Sequence, residues 1–256
     1  MITNYHTHTK RCGHANGSDE QFVKAAIKKG LKVLGFSDHG PWPYENGYVS
    51  DMRMSIKEAD KYIESIKKLK KKYADKIEIK IGFEYEYFPQ HFQWLDRFLK
   101  EKEIDYIILG HHFVPYEIAG AYSGGISDKK TLYDYCEQVC NAIKSGKYAY
   151  VAHPDLYMRG YRNFDADARN VAQIICDTAK QYDIPLEYNI LGLRKIDNEG
   201  REGYPYRKFW EVAAENGNKV ILGIDAHSPK EITDSKYIDS AEKTMKELGI
   251  EVCQYI

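Results

Sequence analysis

A chain of 256 residues, 43% of them hydrophobic, can bury one large core or two smaller ones. A formal net charge of −1 gives no whole-surface attraction to nucleic acid or an anionic membrane, and no apolar run reaches the roughly 18 residues of a membrane helix. The start "MITNYHTHTK" lacks the basic-then-apolar order of a signal peptide. The five cysteines (Cys12, Cys136, Cys140, Cys176, Cys253) are odd in number, scattered and without a CxxC, which fits reduced thiols in a cytoplasm better than a disulfide framework.

Short apolar runs alternate with longer amphipathic ones. Strands are expected at 2–6, 32–37, 77–84, 105–110, 148–152, 185–189 and 219–224, with an eighth at 250–255. Ser18 with Gln21 reads as a capping box opening the first helix. Between the second and third strands, Ile56, Ala59, Ile63, Ile66, Leu69 and Tyr73 recur every three or four residues, which predicts a helix over 55–73. Its lysines (Lys61, Lys67, Lys68, Lys70, Lys71, Lys72) read as a solvated outer face rather than a binding patch. The stretch "YEIAGAYSGGIS" at 116–127 reads as a long loop. Seven or eight βα units in this length predict an α/β barrel in a single domain over 1–256, with a doubly wound open sheet as the competitor.

The polar residues follow the strand ends. His6 and His8 end the first strand, His39 follows the second, and Glu84 ends the third. His111 and His112 end the fourth, His153 the fifth, and Asp225 and His227 the seventh. In α/β barrels the carboxyl ends of the strands open onto one face, where chemistry sits. Side chains at i and i+2 of an extended chain point the same way, so His6-x-His8 and Asp225-x-His227 each offer two donors to one side. His14 can reach over the rim from the following loop. One histidine after a strand is more often structural than a ligand, but seven of the nine in such positions, joined by Glu84 and Asp225, are not explained that way. His91 in "PQHFQWLDRF" reads as bland, and Glu86 and Asp155 as groups that orient ligands. Nine donors exceed the needs of one ion and point to two or three, with a bridging carboxylate. Imidazole with carboxylate suits zinc, iron or manganese. Paired ions of this kind serve displacement at phosphorus.

The series "HTH", a histidine some six residues on, "SDHG", "GFE", "HHF", "AHPD" and "DAHS" resembles the polymerase-and-histidinol-phosphatase (PHP) superfamily. "CGHA", "HPDLYMRG" and "EYNILGLRK" are most similar to its histidinol-phosphatase branch. The resemblance runs from Tyr5 to Ser228 and implies a distorted (β/α)7 TIM-like barrel with three divalent ions. By motif, one ion would take His6, His8, Glu84 and Asp225, a second Glu84, His112 and His153, and a third His14, His39 and His227. In "HH" the family pattern favours His112, because the ligand precedes an aromatic residue. The implied reaction is hydrolysis of L-histidinol phosphate to L-histidinol and phosphate, by a hydroxide shared between two ions. Arg159 and Arg194 follow strands and are expected at the substrate phosphate, where a planar guanidinium fork is suited. Tyr116, Glu117, Asp38 and Tyr161 are candidates for the substrate's ammonium and imidazole. Glu84, Asp225 and Asp38 are the carboxylates expected to take part in catalysis, and Asp38, Asp225 or a metal-bound water is the candidate proton donor. The competitors are another phosphoesterase of the superfamily and a non-catalytic module. A nuclease would be expected to carry a basic track or stacking platform, and the net charge and the lack of a clustered basic loop count mildly against one.

Overall fold

Ser55 opens the longest helix by a reciprocal cap: its hydroxyl accepts from the Glu58 amide at 3.3 Å, and Glu58 accepts from the Ser55 amide at 3.0 Å. In the computed structural model, which describes residues 1–45 and 47–256, this helix runs Ile56–Lys72. It buries Ala59, Tyr62, Ile63, Ile66 and Leu69. Burial of the two isoleucines and the leucine contributes about 1.5–3 kcal/mol each. The outward lysines meet carboxylates: Lys67 with Glu103, Lys68 with Glu64, Lys70 with Asp105 and Lys72 with Glu20. The expected Ser18–Gln21 box is also present.

In chain order the strands are β1 (Thr3–Asn4), β2 (Val33–Phe36), β3 (Glu78–Tyr85), β4 (Tyr106–Leu109), β5 (Phe113–Val114), β6 (Ala121–Tyr122), β7 (Leu186–Asn189), β8 (Val220–Gly223) and β9 (Val252–Cys253). The helices are α1 (Asp19–Lys29), α2 (Ile56–Lys72), α3 (Phe92–Lys102), α4 (Lys129–Lys144), α5 (Met158–Tyr161), α6 (Ala166–Gln181), α7 (Ile190–Glu199), α8 (Arg207–Asn216), α9 (Pro229–Thr233) and α10 (Ser235–Glu247). The described residues form two compact units: Met1–Ile108 with Ile224–Ser235, and Leu109–Gly223 with Lys236–Ile256.

In the first unit the sheet order is β1-β2-β3-β4, with β1–β2 and β2–β3 parallel. The segment after Gly223 joins the other edge through a parallel bridge of Thr7 with Ala226 and an Ile224 amide donated to Asn4 Oδ1 at 2.9 Å. Gly35 matters here, because a Cβ would collide with the Tyr106 hydroxyl, which donates to Tyr5 O at 2.6 Å. The core is aromatic and aliphatic, with Phe22, Leu34, Phe36, Tyr62, Ile66 and Phe83 fully buried.

In the second unit β7, β8 and β9 are parallel neighbours in that order, and α4, α6 and α8 pack successively. Two expectations change. Residues 148–152 do not form a strand: only Val151 registers with neighbours, bridging Leu109 and Leu186, and the chain turns at His153 with φ +32°. The stretch 116–127 is not wholly loop, because Ala121–Tyr122 pairs antiparallel with Phe113–Val114. The eighth candidate strand is present as β9, paired with β8.

Candidate metal centre

In the first unit, the residues that end or follow β1, β2 and β3 meet those after Gly223. The Nε2 atoms of His6 and His8 are 3.2 Å apart. His6 Nε2 is 3.5 Å from Glu84 and 3.4 Å from Asp225 Oδ1, and His8 Nε2 is 3.4 and 3.1 Å from the same two carboxylates. His39 Nδ1 lies 3.1 Å from Glu84 Oε2. The His227 ring stacks on His8 with centroids 4.2 Å apart and on His14 at 4.9 Å. Two triads, His6–His8–Asp225 and His14–His39–His227, each bring one donor atom per residue within 4.8 Å of the others. The same distance holds for His8–His39–Glu84.

Oxygen acceptors set the rings. His14 Nδ1 donates to Cys12 O at 2.8 Å and His227 Nδ1 to Asp225 O at 3.0 Å, which directs the Nε2 lone pair of each away from the backbone. His8 Nδ1 faces Asp38 Oδ1 at 3.4 Å. Asp38 is fully buried, and its other partners are the Thr9 amide at 3.1 Å, the Thr9 hydroxyl and the His39 amide at 2.8 Å. Burial opposes charge on His8, but the hydrogen bonds to Asp225 and Asp38 prevail and hold its pKa well above the ordinary value. Burial likewise opposes the Asp225 carboxylate, while the charge of His6 and the bond from His8 hold its pKa well below the usual range. Burial and the charge of His8 push His227 down to about 3. A buried centre with two facing carboxylates favours a cation, and neutral imidazoles with oriented Nε2 atoms are its usual donors. The donor set therefore fits divalent metal.

Glu86 accepts from Arg53 Nη2 at 2.7 Å and from Trp42 Nε1 at 3.2 Å, and Arg53 also donates to Gly40 O. This buried pair braces the chain after His39. His91 lies beside Trp42 and Tyr44, with centroids 5.7 and 6.5 Å away.

In the second unit the His112 and His153 ring centroids are 4.9 Å apart, while His111 lies against Tyr135 at 5.7 Å. Both members of "HH" are buried, and neighbours on an extended chain point apart. The His153 ring also meets Tyr204 edge-on at 5.9 Å. Asp155 Oδ2 accepts from the Tyr206 amide at 2.6 Å and Trp210 Nε1 at 3.0 Å, and burial pushes its pKa up to about 7 despite those bonds. Arg159, on α5, pairs with Glu199 at 2.8 Å, and its Nε atom has no hydrogen-bond partner among the described residues. Arg194 is buried on α7 with its guanidinium 5.2 Å from the Tyr237 ring centre. Tyr161 donates to Asp165, the N-cap of α6, at 3.0 Å. Tyr116 is half-buried and Glu117 buried in the connection between β5 and β6.

A family model described as "PHP domain" matches residues 4–190. The chain belongs to the PHP domain family. A relative of this PHP chain from Deinococcus radiodurans, named "Probable histidinol-phosphatase", is 29% identical over 251 residues, 95% of this chain and 92% of the relative. The histidinol-phosphatase of Bacillus subtilis is 23% identical, over 89% of this chain and 94% of its own. The crystal structure of Lactococcus lactis histidinol phosphate phosphatase, complexed with zinc, L-histidinol and phosphate, matches with a TM-score of 0.76 at 22% identity. The match covers 98% of this chain and 95% of that one. A Listeria monocytogenes structure gives 0.75 at 24% identity, covering 93% and 99%. The PHP chain thus has the TIM-like α/β fold of these structures. Its described residues include several groups of His, Asp and Glu donors that could hold a metal ion. No helix among its described residues is long and apolar enough to cross a membrane.

Sequence reasoning passed over two residues of this PHP domain. Cys12 is buried beside the histidines, and its pKa is lowered: burial opposes this, but His14 and His8 outweigh it. Its signal was its place inside "HTHTKRCGHA", between ligand candidates. Tyr204 carried no signal, because its approach to His153 is made by a turn with no periodicity.

Proposed function

We propose that this chain hydrolyses L-histidinol phosphate to L-histidinol and phosphate. The observation that carries the reading is the buried His6–His8–Glu84–Asp225 cluster, in which two Nε2 atoms 3.2 Å apart face two carboxylates. Similarity to histidinol-phosphatases along nearly the whole chain supports the substrate.

His6, His8, Glu84 and Asp225 would hold one ion, and His14, His39 and His227 another. On the motif series His112 and His153 would be the remaining ligands and Glu84 would be shared, for three ions of zinc, iron or manganese. Such ions, when bound, supply an activated water near neutral pH and neutralise phosphoryl oxygens. The protein's own part is positioning and charge. Asp38, with its oxygens engaged by Thr9, His39 and His8, acts through His8 as a positioning residue rather than as a proton donor. Asp225 is held as a carboxylate, which suits a ligand and disfavours an acid. Arg159 has an Nε donor to spare while Glu199 holds one end of its fork, so it can bind a phosphate oxygen. Arg194 is the second phosphate candidate. Glu117 and Tyr116 are candidates for the substrate's cationic end. Tyr161 is committed to Asp165 and is a weaker one.

The test is a panel of phosphomonoesters with purified protein of known metal content. Preferential turnover of L-histidinol phosphate is expected. Equal kcat/KM across unrelated monoesters would leave only a general PHP phosphoesterase.

A further inference from the structure

We infer that Arg11 is a positioning residue of the metal centre: through the Thr9 hydroxyl it holds the Asp38 carboxylate, and Asp38 holds the His8 ring. The inference rests on the metal reading above and carries it two side chains beyond Asp38.

The contacts form one chain within the first unit. Arg11 grips Asp19 with both arms of its fork, Nη1 on Oδ1 at 2.9 Å and Nη2 on Oδ2 at 3.0 Å. Nη1 also donates to the Thr9 hydroxyl oxygen at 3.1 Å, and the Arg11 amide is a longer donor to the same oxygen at 3.4 Å. A hydroxyl has two acceptor positions and one proton. With both acceptor positions taken, the Thr9 proton goes to Asp38 Oδ2. The Thr9 and His39 amides complete the hold on Asp38, whose Oδ1 faces His8 Nδ1. When Nδ1 donates to this carboxylate, the Nε2 lone pair is left for an ion. Each bond in such a chain polarises the next, so a charge at its far end strengthens the Thr9 donor.

The far end is built to be rigid. Asp19 is the first residue of α1, and Ser65 of α2 donates to its Oδ2 at 2.6 Å. The Arg11 guanidinium carbon stands 5.6 Å from the centre of the Tyr62 ring, and the Tyr62 hydroxyl donates to Gly82 O on β3 at 2.9 Å. Two helices and a strand therefore fix the fork. An ion pair that served stability alone would end at Asp19. Here Nη1 gives a second bond to a hydroxyl that is 0% exposed, and that hydroxyl's proton is turned toward the centre. Lysine would not replace this arrangement, because a point charge lacks the planar fork.

The experiment is a double-mutant cycle of Arg11→Met with Thr9→Val, reading zinc affinity of the purified protein by competition with a chelating dye. Arg11→Met alone should weaken zinc about three- to tenfold, the contribution of one hydrogen bond. In the Thr9→Val background it should add nothing, because the chain is already cut. The His8 imidazole proton of the zinc-loaded protein, assigned in NMR spectra by its change in Asp38→Asn, should move upfield in Arg11→Met. Should Arg11→Met not fold, Arg11→Lys runs the same cycle, since it keeps a charge on Asp19 without the fork. Wild-type zinc affinity in the Arg11 variant, or an equal loss in both backgrounds with the His8 proton unmoved, would overturn the inference and leave the metal reading intact. Failure of the wild type to bind zinc would overturn both.

Discussion

Asp38 and His8 meet at 3.4 Å through Oδ1 and Nδ1, so a buried carboxylate orients an imidazole whose Nε2 faces Glu84 and Asp225. Carboxylate partners of metal-binding imidazoles typically contribute 10- to 100-fold in metal affinity. Asp38→Ala should lower zinc affinity by about that factor, read by competition with a chelating dye. Asp38→Asn, which keeps the bonds to His8 and Thr9 in part, should fall between. Unchanged affinity in both would remove the orienting role.

Isolated protein should carry about two to three divalent ions per chain, because the donors exceed what one tetrahedral ion takes. Chelation should abolish phosphatase activity, and zinc, iron or manganese should restore it. Metal analysis with at most one tightly bound ion, and full activity after chelation, would be the contrary result.

The two members of "HH" should separate by phenotype. His112 lies beside His153, so His112→Ala should lower metal content and reduce kcat by orders of magnitude. His111 packs on Tyr135, so His111→Ala should retain metal and lose stability, read as a lower denaturation midpoint. The reverse pattern would put the ligand one residue earlier.

Arg159→Ala should lower kcat/KM for L-histidinol phosphate by about one to two powers of ten, the worth of one charge-assisted contact of about 1.5–3 kcal/mol. Selectivity over aryl phosphates should come from contacts to the ammonium and imidazole, and two such contacts give roughly a hundredfold or more. Wild-type kinetics in Arg159→Ala would take that residue out of the phosphate site.

The Arg53–Glu86 pair is buried at both ends. Glu86→Ala leaves a guanidinium without its partner and should cost about 3–5 kcal/mol in equilibrium unfolding, because an uncompensated buried charge remains. A loss below about 1 kcal/mol would mean that water or a rearranged loop takes over the contact.

What the sequence determined by itself is local and periodic. The i, i+2 spacing of His6 with His8 announced a pair of donors on one side, because an extended backbone alternates its side chains, whereas Asp225, at φ +52°, departs from the extended form that the Asp225-x-His227 spacing assumed. The apolar repeat of α2 and its Ser55–Glu58 cap were legible because helix period and capping act within a few residues. The resemblance carried the family from motifs spread along the chain. What only the tertiary structure decided depends on contacts far apart in sequence. Residues 148–152 look like a strand, but strand formation needs register with both neighbours, and only Val151 has it. Asp38 read as a candidate proton donor, and its commitment to Thr9 and His8 across about thirty residues could not be seen in its own neighbourhood. Arg159 is likewise held by Glu199, forty positions away. Cys12 looked like one scattered thiol. Its closeness to His227 exists because the chain after Gly223 returns to pair with Thr7, and no pattern local to "KRCGHA" encodes that return.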